Sequence, residues 1–233
     1  MPVPRPKWLA YAQLIRLPNL FTAVADPLAG WLVVGGGTPA WHLVLLVGAS
    51  ASLYTAGLVF NDCFDYQLDR QYRPDRPLPR GDITRAAAAW LASALLVLGL
   101  ALAWAAGRFP FGIALFLAAL IFFYNAWAKR FAVLGPLTLG ACRFANFLLG
   151  MRYAPPALWW MPGVVAVYVV GLSLVARQEE LRPAVRGTVK QLLLGIILVD
   201  AALVAGQGDW SGAGLVALLL VPAACLSRVF QMT

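Results

Sequence analysis

The chain has 233 residues, of which 61% are hydrophobic and only 12% are charged, and its mean hydropathy is +0.76. Soluble globular domains carry about twice that share of charged residues, so the composition excludes an ordinary soluble domain. The net charge is +8. Because apolar runs separate the basic residues, we expect this protein to lie in membrane lipid and not to bind nucleic acid.

Apolar runs recur along the whole chain, and each has about the 17–25 residues that cross a hydrocarbon core. They predict eight transmembrane helices, at about 17–34, 42–60, 86–106, 110–127, 133–150, 157–176, 190–206 and 210–229. A closed β-barrel is the other structure that lipid permits, but its strands alternate over about ten residues and these runs do not. We therefore expect an all-α, polytopic transmembrane helical bundle that forms one domain over residues 1–233.

Basic residues are concentrated on one side of this bundle. That side carries Arg5, Lys7, Arg16, Arg70, Arg73, Arg76, Arg80, Arg85, Lys129, Arg130, Arg177, Arg182, Arg186, Lys190 and Arg228. The other side has only Arg108 and Arg152, and it carries a belt of tryptophans, namely Trp31, Trp41, Trp104, Trp159, Trp160 and Trp210. The positive-inside rule then predicts an integral protein of the cell (inner) membrane, with both termini and the arginine-rich loop in the cytoplasm.

The segment NDCFDYQLDRQYRPDRPLPRG, residues 61–81, places several acids at the end of an apolar run. Asn61, Asp65 and Asp69 stand at i, i+4 and i+8, so they share one helix face, with Asp62 beside them. These oxygen donors would repel one another without cations, and hard oxygen ligands suit Mg²⁺. The alternative is a polar helix end paired with the following arginines, which is less favoured because intramembrane acids are costly and usually functional.

The loop that follows has three prolines in RPDRPLPRG, so it cannot continue as a regular helix. A stiff loop could carry Arg73, Arg76 and Arg80 back over the acids, where guanidinium groups bind phosphate oxygens in pairs. The same arginines are also compatible with a role in topology alone. Metal and arginine above an apolar interior suggest a substrate with a diphosphate head and a lipid tail.

This segment resembles the first aspartate-rich motif of the UbiA superfamily of intramembrane prenyltransferases, NDxxDxxxD followed by a loop ending RPLPxG. The matching residues are Asn61, Asp62, Asp65, Asp69, Arg76, Pro77, Leu78, Pro79 and Gly81. RLPNLFTAVADPLAG (16–30) and YNAWAKR (124–130) are similar to the family's first-helix pattern and to its tyrosine followed by a Lys-Arg pair. The fifth run, with Arg143, Asn146 and Gly150, is similar too.

The resemblance implies Mg²⁺-dependent transfer of a prenyl group, through an allylic cation, from a prenyl diphosphate to an aromatic or other small acceptor. The catalytic residues it implies are Asp62, Asp65 and Asp69. The metal ligands are Asn61, Asp65, Asp69 and Glu179. The substrate-binding residues, including the loop arginines, are Arg16, Asn19, Arg73, Arg76, Arg80, Tyr124, Lys129, Arg130 and Asn146.

A second acidic motif of the family, two aspartates four residues apart, is altered here. Glu179 and Glu180 are adjacent, so they point about 100° apart on a helix, and Pro183 stands where another ligand is expected. One glutamate can reach a metal, or Arg177 and Arg182 can neutralise a charged loop edge. The family commonly has nine spans, whereas eight are predicted here. Together with the altered motif, this makes the chain similar to a divergent, EboC-like branch of the family.

Two other functions fit parts of the sequence. A binder or transporter of an isoprenoid diphosphate or related lipid would keep the first motif and lose the chemistry. An unrelated carrier or channel is disfavoured, because the charges lie at one mouth and not along a path across the bilayer. Asp26 and Asp200 are isolated acids in apolar runs with no partner visible in the sequence, and neither is assigned as a base.

Overall fold

The computed structural model describes residues 6–37, 39–151, 153, 155–177 and 186–230, and within these ranges it contains helices and connecting turns without strands. The α-helices are α1 (Lys7–Leu14), α2 (Leu17–Val33), α3 (Ala40–Phe64), α4 (Tyr66–Tyr72), α5 (Arg85–Ala106), α6 (Arg108–Ala126), α7 (Leu134–Gly150), α8 (Trp160–Ala176), α9 (Arg186–Ala205), α10 (Trp210–Leu218) and α11 (Leu220–Leu226). Short 3₁₀ turns lie at Ala128–Arg130 and Pro156–Leu158. The all-α prediction is confirmed.

Every predicted span coincides with a long helix, except that the last is divided. Among the described residues, five segments are both long and apolar enough to cross a bilayer: Ala40–Phe64, Arg85–Ala106, Arg108–Ala126, Pro156–Ala176 and Gly187–Ala205. The chain is therefore an integral membrane protein, and the number of crossings stays a prediction.

The boundaries differ from prediction where local chemistry overrides the apolar pattern. Helix α3 continues to Phe64, beyond the predicted apolar run that ends at 60, so Asn61 and Asp62 lie within it, as their predicted helical spacing requires. The run 210–229 is not one helix, because α10 ends at Leu218 and α11 begins at Leu220. Pro222 lacks the N–H that would bond to the Leu218 carbonyl, which accounts for the interruption.

Helix α2 is central to the bundle, since it contacts α3, α7, α9, α10 and α11. It begins beside Arg16, which has a left-handed backbone with φ of 46° and separates α2 from α1. Its apolar face packs with α7 and α9 in a buried cluster that includes Ala25, Ala29, Phe147 and Ile197. The start of α2 consequently faces the acidic end of α3.

The crossing of α2 and α7 depends on two glycines. A Cβ atom on Gly150 would lie against the backbone carbonyl of Pro27, and one on Gly30 would lie against the carbonyl of Phe147. Close backbone approach at small residues is a common way to pack helices in lipid. Since backbone atoms cannot move aside as a flexible side chain can, this crossing does not tolerate larger residues.

We predict that Gly150→Ala lowers the stability of the bundle by about 1–3 kcal/mol, the usual cost of overpacking. The matched control is Gly163→Ala on α8, where an added Cβ meets no atom within 4 Å. Thermal unfolding in detergent should show a lower Tm for Gly150→Ala and no loss for Gly163→Ala. Equal Tm values for the two variants would contradict the proposed crossing.

Candidate active site

The acidic motif lies at the junction of α3 and α4. Asp65 occupies the break between Phe64 and Tyr66, yet the helical hydrogen-bond register continues through it. The backbone N–H of Asp65 donates to the Asn61 carbonyl at 2.9 Å, and that of Asp69 donates to the Asp65 carbonyl at 2.8 Å. The predicted i, i+4, i+8 spacing is therefore retained in the backbone.

Lys129 neutralises Asp65 and also contacts the amide of Asn61. Its Nζ donates to Asp65 Oδ1 at 2.6 Å and to Asn61 Oδ1 at 3.3 Å. Lys129 lies in the 3₁₀ turn that follows α6, so this contact joins two distant parts of the chain. Both members of the ion pair are partly buried, with side-chain exposures of 17% for Lys129 and 24% for Asp65.

Arg76 contacts the other two acids, Asp62 and Asp69. Its Nη1 donates to Asp69 Oδ2 at 2.8 Å and to Asp62 Oδ1 at 3.4 Å. Arg16, at the start of α2, also donates to Asp62 Oδ1, at 3.1 Å. Asp62 and Asp69 are both buried. The charged side chains at this mouth of the bundle therefore form a compact set in which acids and cations alternate.

Burial affects the charge state of this pair. It raises the pKa of Asp69 above its ordinary value, while the neighbouring Arg76 guanidinium acts to lower it. Burial and the nearby Arg16 lower the pKa of Arg76, and Asp62 and Asp69 oppose that change. Arginine stays protonated because its ordinary pKa is so high, so Arg76 is the fixed positive charge at this point.

An apolar anchor places Arg76. Leu78, two residues after it, is only 3% exposed and packs in a cluster with Leu14, Val59 and Ile83. Gly81, with φ of 81°, closes the turn in a left-handed conformation that suits glycine. The loop is therefore held against α1, α3 and α5, and of its three predicted arginines it carries the Arg76 side chain over the acids.

The remaining predicted residues occupy different places. Arg73 is exposed on the loop, whereas Arg80 pairs with Asp82 at 3.1 Å. Tyr124, in the last turn of α6, interacts electrostatically with Asp65 and Arg16 and therefore lies at the mouth. Asn19 is buried in the first turn of α2, and Arg130 is exposed next to Lys129.

Asn146 does not join the acids at the mouth. It lies deeper in the bundle, where its Nδ2 donates to Asp26 Oδ2 at 2.7 Å and to the Ala23 carbonyl at 2.8 Å. Arg143, on the same helix, also donates to Asp26 Oδ2, at 3.1 Å. Asn146 therefore belongs to a second, interior polar group.

Arg177 is a site residue that sequence reasoning assigned to topology and to the neutralisation of a charged loop edge. Its guanidinium donates to the backbone carbonyl of Lys129 at 2.6 Å and so fixes the 3₁₀ turn that presents the Lys129 ammonium. The available signal was its position at the end of an apolar run, directly before the acidic segment. Glu179 and Glu180 lie outside the described residues.

The oxygen atoms at the mouth are of the chemical type that binds a hard divalent cation. Asn61, Asp65 and Asp69 offer carboxylate and amide oxygens, which Mg²⁺ prefers. Across the described ranges, no three acidic, histidine or cysteine side chains form a ready-made metal cage. Lys129 and Arg76 instead supply the positive charge, so a metal bound by these acids would take over part of their role.

Sequence comparison places these features among known proteins. The profile of the UbiA prenyltransferase family matches residues 20–232. The chain is 33% identical over 142 residues to digeranylgeranylglyceryl phosphate synthase of Thermococcus kodakarensis, covering 60% of this chain and 51% of that protein. It is 26% identical over 232 residues to 4-hydroxybenzoate octaprenyltransferase of Pectobacterium atrosepticum, covering 90% of this chain and 80% of that protein. The chain thus spans about half the length of the synthase it matches.

Structural comparison gives the same fold. A structure of a UbiA homolog from Archaeoglobus fulgidus bound to DMAPP and Mg²⁺ superposes with a TM-score of 0.66 at 16% identity, covering 94% of this chain and 86% of that one. A structure from a study of digeranylgeranylglyceryl phosphate synthase in membranes gives a TM-score of 0.66 at 19% identity, covering 94% of both chains. At these identities the likeness shows the arrangement of helices.

We predict that Arg76→Met destabilises the protein on the order of 2–4 kcal/mol, because it leaves the buried Asp69 without its paired cation and the buried Asp62 with Arg16 alone. An acid whose pKa is higher in the folded than in the unfolded state loses stabilisation as pH rises between those two values. Without Arg76, the pKa of Asp69 rises further, so the loss should be greater in mildly alkaline than in mildly acidic buffer.

The control is Arg70→Met, which removes the same charge from an exposed position on α4. Thermal unfolding of both variants and of the parent protein across this pH range measures the effect. A pH-independent loss for Arg76→Met, or an equal loss for Arg70→Met, would argue against the ion-pair assignment.

Proposed function

The chain belongs to the UbiA prenyltransferase family, and on that premise we propose that it transfers a prenyl group from a prenyl diphosphate to an aromatic or other small acceptor, with Mg²⁺. The observation that carries this proposal is the pairing of Asp62, Asp65 and Asp69 with Arg76 and Lys129 at one mouth of the bundle. Such a set has cation-binding and phosphate-binding groups side by side.

Binding of the diphosphate exchanges ion pairs within this set. Asn61, Asp65 and Asp69 would hold Mg²⁺, and Lys129 and Arg76, no longer paired with these acids, would contact phosphate oxygens. Charge-assisted contacts of this kind are stronger than neutral ones, and arginine can make two in parallel. Glu179 remains the proposed further ligand from the second acidic segment. The exchange leaves each of these acids and cations with an opposite charge beside it before and after binding.

The reaction then requires loss of diphosphate. The allylic C–O bond breaks, the electron pair leaves with the diphosphate, and the acceptor's nucleophile attacks the allylic carbon and releases a proton. The chemistry that Mg²⁺ supplies when bound is positive charge against the charge that develops on the diphosphate. Arg76, Lys129, Arg130 and Tyr124 hold the head group, while the prenyl tail lies among apolar helices.

The relatives suggest which acceptors to test. One is named for digeranylgeranylglyceryl phosphate and another for 4-hydroxybenzoate, so a glyceryl phosphate prenyl ether and a hydroxybenzoate represent two acceptor classes. A non-catalytic binder or transporter is the alternative, favoured by the adjacent Glu179 and Glu180 in place of two spaced aspartates. That alternative predicts Mg²⁺-dependent diphosphate binding without release of diphosphate.

We predict that Asp65→Asn abolishes turnover and leaves the fold intact, because the amide keeps the shape of the side chain and removes its charge. The assay measures diphosphate release from a series of prenyl diphosphates with both acceptor classes. Asp75→Asn, at an exposed loop acid outside the motif, is the control and should retain activity. Undiminished product formation by Asp65→Asn would refute the catalytic role.

We also predict that Lys129→Met strengthens metal binding when no diphosphate is present, because it removes the ammonium that competes for Asp65. The expected gain is roughly two- to tenfold, as befits a partly exposed ion pair. Mn²⁺ titration of the substrate-free protein measures it, and Lys7→Met, at an exposed lysine, should bind as the parent does. Weaker Mn²⁺ binding by Lys129→Met would contradict ion-pair exchange.

A further inference from the structure

A second polar cluster lies in the interior of the bundle, where α2, α7 and α9 meet. Its members are Asp26, Arg143, Asn146 and Asp200, and Asp26 and Asp200 are completely buried. Asp26 is ten residues along the chain from Arg16, or about 15 Å along a helix. The cluster is therefore separate from the acidic motif at the mouth, and it has no role in the proposed diphosphate chemistry.

Asp26 is well supplied with hydrogen-bond donors on one oxygen only. Its Oδ2 accepts from Arg143 Nη1 at 3.1 Å and from Asn146 Nδ2 at 2.7 Å, whereas its Oδ1 has no donor within the described part of the chain. Arg143 also donates to the Thr22 carbonyl at 2.7 Å and to Thr22 Oγ1 at 2.9 Å. These contacts direct the guanidinium toward α2 and favour the ionised form of Asp26.

Asp200 has no such support. It is fully buried on α9, and among the described residues neither of its carboxyl oxygens meets a hydrogen-bond donor. Its polar neighbour is the carboxyl group of Asp26, which lies within hydrogen-bonding reach. Two ionised carboxylates in that position would both be acceptors, and no hydrogen bond could form between them.

The charges of the cluster do not balance if both acids are ionised. The charged groups that face one another are Asp26 from α2, Arg143 from α7 and Asp200 from α9. Tyr54 of α3 places its ring 5.3 Å from the Arg143 guanidinium carbon and adds no positive charge. Two carboxylates and one guanidinium leave one uncompensated negative charge, which is costly inside a membrane protein.

We infer that Asp26 and Asp200 hold one proton between them inside the bundle, carried by Asp200 and donated to Asp26. The proton resides on Asp200 because Arg143 and Asn146 already donate hydrogen bonds to the carboxylate of Asp26, whereas the oxygens of Asp200 accept none from the described residues. It makes the cluster neutral, and Asp26 Oδ1 is the vacant acceptor. The hydrogen bond that this proton forms joins α9 to α2, and Asp26 joins α2 to α7 through Arg143 and Asn146.

Infrared spectroscopy of the full-length protein in detergent at neutral pH tests this inference. A protonated carboxylic acid has a carbonyl band separate from those of carboxylates and amides. We expect such a band in the parent protein, with a shift when aspartate is labelled with ¹³C at its side-chain carbonyl carbon. Absence of the band would overturn the inference, and it is also the result expected if a sodium ion neutralised the cluster instead.

Substitution assigns the proton to a residue. Asp200→Asn should remove the band, or its Asp200 component, because the amide donates to Asp26 without binding a proton. The control is Asp209→Asn, since a hydrogen bond from the Gly212 backbone N–H lowers the pKa of Asp209 and keeps it ionised. If Asp200→Asn does not fold, Asp200→Glu should keep the band at a displaced position. A spectrum unchanged by substitution at position 200 would overturn the assignment.

Discussion

A carboxylate that leaves water must be met by a cation, by hydrogen-bond donors or by a proton, because an isolated charge in a low-dielectric interior is too costly to retain. This requirement governs both polar regions of the bundle. At the mouth, Arg76 and Lys129 meet the acids of α3 and α4. In the interior, Arg143 meets Asp26. The contacts of Lys129 with Asp65 and of Arg143 with Asp26 join segments that are far apart in the chain, so charge balance and helix packing depend on each other here.

The sequence predicted the helices well where their signal is local. Long apolar runs mark the bilayer-crossing segments, and the spacing of Asn61, Asp65 and Asp69 survives because i, i+4 backbone bonds continue through the break at Asp65. Prediction was poorer where one residue decides a boundary. Pro222 divides the last apolar run, and a hydropathy pattern does not register the loss of a single N–H donor.

The residues of the candidate site could largely be predicted from the sequence. Which of them contact one another could be predicted much less well. Arg76 and Asp69 are close in sequence, so their contact follows from a loop that turns back. Arg143 and Asp26 are 117 residues apart, and only the packing of α7 on α2 brings them together. For the same reason Asp200 seemed an isolated acid, and the contact of Asn146 with Asp26 was not visible in the sequence. Long-range contacts of this kind leave no periodic trace in a single sequence.

The glycine crossing of α2 and α7 also limits how the interior could change over evolution. Gly30 and Gly150 bring backbone against backbone, so no side-chain replacement there can create space. Between α3 and α6, by contrast, the side chain of Ile121 lies against Gly57 and can be shortened without moving either helix. Side-chain variation can therefore reshape the apolar interior at the second contact, whereas the first keeps the separation of α2 and α7 fixed.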